Sequence, residues 1–547
     1  MTRRLAFACV FACAVLIAGS EDPAYITWFN DHGLLAQTQA SARSIVVVSD
    51  LHMGIGRDAS GEWNPTEDFR WAAEFSQFLE TIDRNGQSRV DLILNGDTFA
   101  LADSVLGPCG ESASPQSGCS EREAVARLER ILRAHGPEIA ALGKFVAAGS
   151  NQLTLVPGDE DAALLFPAVS RRVASAISPT RARVDVAGSG HWLSSNSLVW
   201  AEHGHQIGPD PYKFAQWPPD LVKSPRVPRT WAERVSGRFF GEFERTYPAV
   251  DNVVSLGAGL RYVPIPDGSA LLNDAQDLVR YLLLAISWQQ FRMELDDGDT
   301  QAPIWDLAQV RAQGPEFLVS SLADDDSIKP IASTAAAGGK FAKAMEQLTD
   351  EELTTICDYR AAMRRSRRRF EPVVTQFPPR GPAVAECPRT PETRGAVFDY
   401  FWRARDETYL AYFADIAKRI PAATRPIAVL VHGHTHLADR AQSGANMISG
   451  GLLKIAMEGF SPVRGKTTPV AINGGAWQRT ITPVQLLRLA DERKASPSDA
   501  LRALTIEELA PCYSFVQIDS ADEPVPAVRF WRQAASGEWS ISPTCGR

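Results

Sequence analysis

Apolar residues along this chain fall into short runs that stop abruptly at polar ones. Ser44–Ser49 and Leu92–Asn95 are β-branched or aliphatic runs of this kind, and each predicts a buried strand. Between them Trp71, Phe75, Phe78 and Ile82 recur at helical spacing behind Pro65 and Thr66, which predicts an amphipathic helix with a start signal. Ser120 and Glu123 form a capping box ahead of Ala124, Leu128, Ile131 and Leu132, so a second helix is expected there. Gln152–Val156 predicts a third strand, and Asn196–Ala201 a fourth that runs into Glu202 and His203. Alternating strands and helices imply a layered α/β domain.

The rhythm breaks between about 207 and 400, with the Pro-rich loop "DPYKFAQWPPDLVKSPRVP", a helical stretch near Ala275–Met293 and an arginine-dense segment at 359–369. A helical pattern returns at Glu407–Ile420, and strands are expected at Ile427–Val431, Pro469–Asn473, Tyr513–Ile518 and Val528–Trp531. The organisation this predicts is a core made of residues 44–206 and 425–547, interrupted by a large, partly helical insertion or cap over 207–424. Within the insertion, Tyr281–Trp288 ("YLLLAISW") is too short to span a bilayer and is expected to be a core helix. The arginine-dense segment is expected to be a solvated helix face.

Composition is that of an ordinary globular protein, with 45% hydrophobic and 22% charged residues over 547 positions. A net charge of −9 disfavours a nonspecific binder of nucleic acid. Arg3 and Arg4, the apolar run Leu5–Ala18 and the small residues Ala18, Gly19 and Ser20 predict a signal peptide over residues 1–20, and hence a periplasmic or secreted protein. Cys109, Cys119, Cys357, Cys387, Cys512 and Cys545 form three neighbouring pairs without C-x-x-C spacing. In an exported chain they predict three sequential disulfides, with free buried thiols as the alternative.

Candidate chemistry sits where the apolar runs end. Asp50 and His52 are one residue apart after the first strand, so in extended backbone their side chains leave on one face. Asp97 follows Gly96 after the next strand, and a carboxylate there can bridge two cations. His434 and His436 repeat the one-residue spacing, and His203 again follows a strand. Of nine histidines, His52, His203, His205, His432, His434 and His436 lie in these blocks, a concentration that points to a metal centre.

The blocks "SDLH", "NGDTF", "PGDED", "EHGH" and "GHTH", followed by "INGGAW" at 472–477, resemble in order the calcineurin-like metallophosphoesterases, over roughly 44–206 and 425–534. The resemblance implies a four-layer α/β/β/α sandwich with a dinuclear site of two divalent metal ions, Mn, Fe or Zn. It implies hydrolysis of a phosphate monoester, diester or pyrophosphate bond. By the same resemblance Asp50, His52 and His436 hold one metal, His203 and His434 the second, and Asp97 bridges them. Asn473 and Trp477 are expected to orient the loop beside the site. The implied partner is a phosphorylated small-molecule or lipid-linked substrate. Membrane contact is not required, and no obligate protein partner is expected.

The third block departs from the family's Gly-Asn-His-Asp, reading Gly158-Asp159-Glu160-Asp161. Asp159 is expected to give the second metal an oxygen from the place of the family's Asn. Glu160 stands where the family's His donates to the substrate phosphate or the leaving oxygen, and three readings follow. Glu160 is held protonated and acts as general acid. Alternatively it becomes an extra ligand or turns away, and His205 or an insertion arginine donates instead. In the third reading the site is a catalytically degenerate metal-binding scaffold. The catalytic candidates are therefore Glu160, Asp97 and His205.

Overall fold

In a computed structural model of the chain, the first strand, β1 (Ser44–Val48), sends Ile45 and Val47 into one apolar cluster and Val46 and Val48 into another. Side chains alternate along a strand, so a strand covered on both faces reads as an unbroken apolar run. The structure describes residues 43–107, 109–110, 117–207, 212–231, 233–234, 243–254, 257–264, 275–285, 301–322, 339–358, 360, 387–396, 416, 427–438 and 470–545.

Beyond β1, two main sheets are built from β2 (Val90–Asn95), β3 (Gln152–Val156), β4 (Val184–Val186), β5 (Trp192–Leu193), β6 (Val199–Ala201), β7 (Val429–His432), β8 (Val470–Asn473), β9 (Cys512–Ile518), β10 (Pro526–Gln533) and β11 (Trp539–Ser542). The larger is seven-stranded, in the order β11-β10-β9-β1-β2-β3-β4. Its β1–β4 half is parallel and its β9–β11 half antiparallel. The smaller is four-stranded, in the order β8-β7-β6-β5, with β6, β7 and β8 parallel. Ile45, Val47, Ile93 and Val156 of the large sheet share one buried cluster with Val199, Val429, Val431 and Ile472 of the small one. The two sheets therefore face each other across an apolar layer.

Four helices cover the other face of the large sheet: α1 (Ala72–Asn85), α2 (Glu121–Ala134), α3 (Gly136–Ala147) and α4 (Pro167–Ile177). Phe75, Phe78, Leu128, Ile131, Leu142 and Val173 pack there with Val46, Leu92, Leu94 and Leu153. The expected capping box is present on α2, where the Ser120 N–H donates to Glu123 Oε2 at 2.8 Å. Helix α1 starts later than its expected signal, behind Trp71 and without a side-chain cap. The Thr66 hydroxyl is committed elsewhere, to Asn64 and Asp103.

The strand expected at Asn196–Ala201 begins at Val199 and belongs to the small sheet. Asn196 and Ser197 form the hairpin turn before it, held by the Ser194 hydroxyl donating to Asn196 Oδ1 at 2.7 Å. In the insertion, the expected helix at Ala275–Met293 is described as Ala275–Val279 continuing into a wider turn at Arg280–Ala285. Short helices follow at Leu307–Ala312, Pro315–Leu322 and Lys340–Gln347, and Phe317, Leu318, Phe341 and Met345 join the helix-side core. Residues 1–20, most of the arginine-dense segment and the expected helix at Glu407–Ile420, apart from Ile416, lie outside the described residues. The fold is mixed α/β around a large central sheet.

All three expected disulfides are present: Cys109–Cys119, Cys357–Cys387 and Cys512–Cys545. They indicate an oxidising compartment. Among the described residues no helix is long and apolar enough to cross a membrane.

A buried ionic group secures the chain just past β1. His135, between α2 and α3, sits 3.3 Å from both Glu67 and Glu138. Glu67 also accepts N–H bonds from Gly54, Gly56 and Phe69. Burial alone would favour neutral His135, but the two carboxylates win and raise its pKa to about 9. Because this lies above the unfolded value of about 6.5, the stabilisation is complete below pH ~6.5 and disappears as pH rises through about 9. The loss expected across that window is roughly 3 kcal/mol. Urea unfolding of the protein and of His135→Gln from pH 6 to 10 checks it: the difference between them should shrink by that amount.

Candidate metal centre

Five strands end at the site, and each delivers its side chains within four residues of its end. Asp50 and His52 follow β1, Asp97 follows β2, Asp159 and Glu160 follow β3, His203 and His205 follow β6, and His434 and His436 follow β7. The extended backbone expected for the one-residue spacings is not what brings the side chains together. Asp50, His52, Asp97, His434 and His436 all have left-handed backbone, with φ between 49° and 69°. For an L residue that conformation costs about 1–2 kcal/mol, and such strain collects at functional sites. The convergence is made by sharp turns at the strand ends.

The side chains meet in two adjoining groups. In one, Asp97, Asp159, His203 and His434 each offer a ligand atom, all within 4.8 Å of one another; in the other, Asp50, His52 and His436 do the same. All seven residues are buried. His203 Nε2 lies 2.9 Å from Asp97 Oδ2, 3.1 Å from Asp159 Oδ1 and 3.8 Å from Asp50 Oδ1, so the groups touch. Asp97 also belongs to a third set with His52 and Glu160, which puts it between the two groups.

Residues around the groups fix which atoms face inward. Asp50 Oδ2 accepts from the Ser49 hydroxyl at 2.5 Å and from the His434 N–H at 3.0 Å, leaving Oδ1 for the site. His203 Nδ1 donates to the Asn95 carbonyl at 3.1 Å, which leaves Nε2 facing the carboxylates. Gly96 has φ 88°, and a Cβ there would overlap the His203 ring. A Cβ on Gly158 would likewise overlap Asp97. Asn473, as expected, holds the loop between the two late histidines by donating to Thr435 Oγ1 at 2.8 Å. The Trp477 N–H donates to the Ser49 carbonyl at 2.9 Å, while its ring stacks on Tyr513 in the core.

Electrostatically the groups call for positive charge. Burial opposes ionised Asp50 and Asp159, yet nearby imidazoles hold both well below the usual carboxylate range. Burial opposes protonated His203 and His52, yet the carboxylates around them push both well above the usual imidazole range. Asp97 is raised, by burial first and by the charge of Asp159 as well. Among the described residues, Asp50 Oδ1, His52 Nε2, His434 Nε2 and both ring nitrogens of His436 are buried without a hydrogen bond. Buried polar atoms are ordinarily satisfied. Carboxylate oxygens and imidazole nitrogens in this arrangement suit divalent cations such as Zn, Mn or Fe, so the residues present fit a metal centre.

Glu160 and His205 occupy the edge. Glu160 Oε2 lies 3.0 Å from His52 Nδ1, and its side chain is 32% exposed. His205 is buried 3.9 Å from Asp159 Oδ1, and Trp217 and Phe214 of the insertion pack edge-on against it. Burial drives its pKa well below the ordinary value, which favours the neutral imidazole. Tyr212 closes the same side against His434, with ring centroids 4.7 Å apart.

Sequence reasoning missed Ser49, Asn95 and Asp161 as supports. Asp161 takes the Gly158 N–H at 2.6 Å and the Thr98 N–H at 2.9 Å, stitching the third block to the second. Each missed residue lies within two positions of a candidate ligand, and that adjacency was the available signal. No family model, curated protein or solved structure matches the chain.

Gly96→Ala tests the packing of the site. Left-handed strain plus overlap with His203 predicts a loss of roughly 2–4 kcal/mol of stability. Elemental analysis of the cation-soaked variant should find fewer cations per chain than in the unaltered protein. Urea unfolding and metal stoichiometry measure the two effects separately.

Proposed function

We propose that the protein is an exported metallophosphoesterase, a calcineurin-like enzyme of four-layer α/β/β/α architecture that hydrolyses a phosphate monoester, diester or pyrophosphate bond. The observation that supports this most is the meeting of Asp50, His52, Asp97, Asp159, His203, His434 and His436 in two adjoining buried groups. They come from five separate sequence blocks in the order that first suggested the family. In this reading Asp50, His52 and His436 hold one cation, Asp159, His203 and His434 the other, and Asp97 lies between them. Two divalent cations of this kind supply, when bound, a water activated for attack and positive charge against the phosphoryl oxygens.

The chain's own residues prepare that chemistry. Ser49 and the His434 N–H orient Asp50, Asn95 orients His203, and the Glu160 N–H holds Asp97 at 2.9 Å. Insertion side chains Tyr212, Phe214 and Trp217 wall one side and keep bulk water from His205 and His434. The substrate is a phosphorylated small molecule or a lipid-linked phosphate, since a chain of net charge −9 is poorly suited to nucleic acid. Export, with residues 1–20 as the cleaved signal, agrees with the three disulfides.

Asp159 and Glu160 add negative charge where the resembled family has neutral or donating groups, and this favours a second reading, a metal-binding scaffold without turnover. Hydrolysis separates the two. Loaded with Mn, Zn or Fe, the protein is expected to cleave p-nitrophenyl phosphate or bis-p-nitrophenyl phosphate, and Asp97→Ala to lower kcat/KM by about 10²–10³-fold. No turnover on either substrate from chains that carry about two cations would leave the scaffold.

A further inference from the structure

We propose that Glu160 is a positioning residue: its carboxylate holds the His52 ring so that Nε2 faces Asp50 and His436. The proposal rests on the two-cation reading above and goes beyond it, assigning a role to the residue that departs most from the resembled family.

The geometry is specific. Glu160 Oε2 lies 3.0 Å from His52 Nδ1. On the far side of the same ring, Nε2 is buried without a hydrogen bond and sits 3.8 Å from Asp50 Oδ1. His436 Nε2 approaches that oxygen to 3.5 Å. A carboxylate that accepts a hydrogen from one imidazole nitrogen fixes the tautomer, so the lone pair of the other nitrogen points at the cation. The two nitrogens of His52 are thereby given separate tasks.

Glu160 is itself held in place. Its N–H donates to Asp97 Oδ1 at 2.9 Å, while Asp97 Oδ2 faces His203. The turn that carries it is fixed by Asp161, which accepts the N–H groups of Gly158 and Thr98. One residue therefore steadies both groups, Asp97 through its backbone and His52 through its side chain. Glu160 as a direct ligand is the competing use, since its carboxylate, His52 and Asp97 also lie within 4.8 Å of one another. That use requires His52 to turn Nδ1 to the cation and give up the Nε2 contact with Asp50 and His436. The one-third exposure of the Glu160 side chain suits a carboxylate that leans on a ligand from outside.

Zinc titration of the metal-free protein against a chromophoric chelator tests this, with Glu160→Ala and Glu160→Gln beside the unaltered chain. Two zinc sites are expected in the unaltered chain. Glu160→Ala should weaken one of them by about ten- to a hundredfold and leave the other within about threefold. Glu160→Gln, whose amide oxygen still accepts the Nδ1 hydrogen, should recover most of the loss. Long-range ¹H–¹⁵N spectra of the zinc-loaded protein should show His52 with hydrogen on Nδ1 in the unaltered and Gln chains. Two tight sites in Glu160→Ala would overturn the proposal and leave the two-cation reading standing. A Gln variant as weak as Ala would also overturn it, in favour of direct ligation. Failure of the unaltered chain to bind two zinc ions would remove the two-cation reading, and the proposal with it.

Discussion

Asp50, Asp97 and Asp159 lie buried within one small volume, and three carboxylates stay ionised there only with positive charge between them. Much of the site's construction answers that constraint. Without a cation, protonated imidazoles supply the charge, which is why His203 and His52 are raised while Asp50 and Asp159 are lowered. If cations were bound, these nitrogens would serve as ligands in place of their protons, and loading the site would exchange one positive charge for another. The left-handed turns at Asp50, His52, Asp97, His434 and His436 work against folding and persist because the surrounding packing holds them. Rigidity comes from the strands behind them, whose apolar side chains are locked between helices on one face and the second sheet on the other.

Legibility of the fold in the sequence follows from how local each signal is. β1, β3 and α2 were readable because an apolar run or a capping box is complete within a few residues. The three sequential disulfides were expected from the pairing of neighbouring cysteines, and the structure carries them, but connectivity is set by folded proximity that spacing alone does not determine. By contrast, β4, at Val184–Val186, is three residues long and owes its strand geometry to pairing with β3. The division into two sheets was not legible either. Nothing in "NSLVWA" says whether β6 extends the large sheet or starts another, because that is decided by which neighbour its edge meets.

The candidate site was legible in its residue types and less so in its geometry. Asp50 and His52 do converge, while His434 and His436 divide between the two adjoining groups, and both pairs are turned by left-handed backbone and not by the extended spacing that suggested them. The second nitrogen of a histidine is invisible in sequence. His52 and His205 look alike as letters, yet one lies against a carboxylate and the other against two aromatic rings; burial pushes both toward neutrality, and only at His52 do the carboxylates outweigh it. Those rings belong to the insertion, so the character of His205 is set by residues that the motif does not contain. The same holds for His135, whose charge depends on Glu67, a residue far from it in the chain.

Charge balance then constrains how the centre could meet an anionic ligand such as the phosphoryl group proposed above. Four carboxylates, Asp50, Asp97, Asp159 and Glu160, lie at the site, so two divalent cations, if held there as proposed, would leave little positive surplus to project outward. Around it, burial together with the charge of Glu160 raises Asp103 to about 6 and Glu233 to about 8. That upward shift favours protonated Glu233 near neutral pH, which limits further build-up of negative charge. In a chain of net charge −9, long-range attraction of an anion is weak. Under the proposed function, affinity would have to come at contact, from oxygens reaching the cations directly, and such an interaction would be short-ranged and little affected by salt.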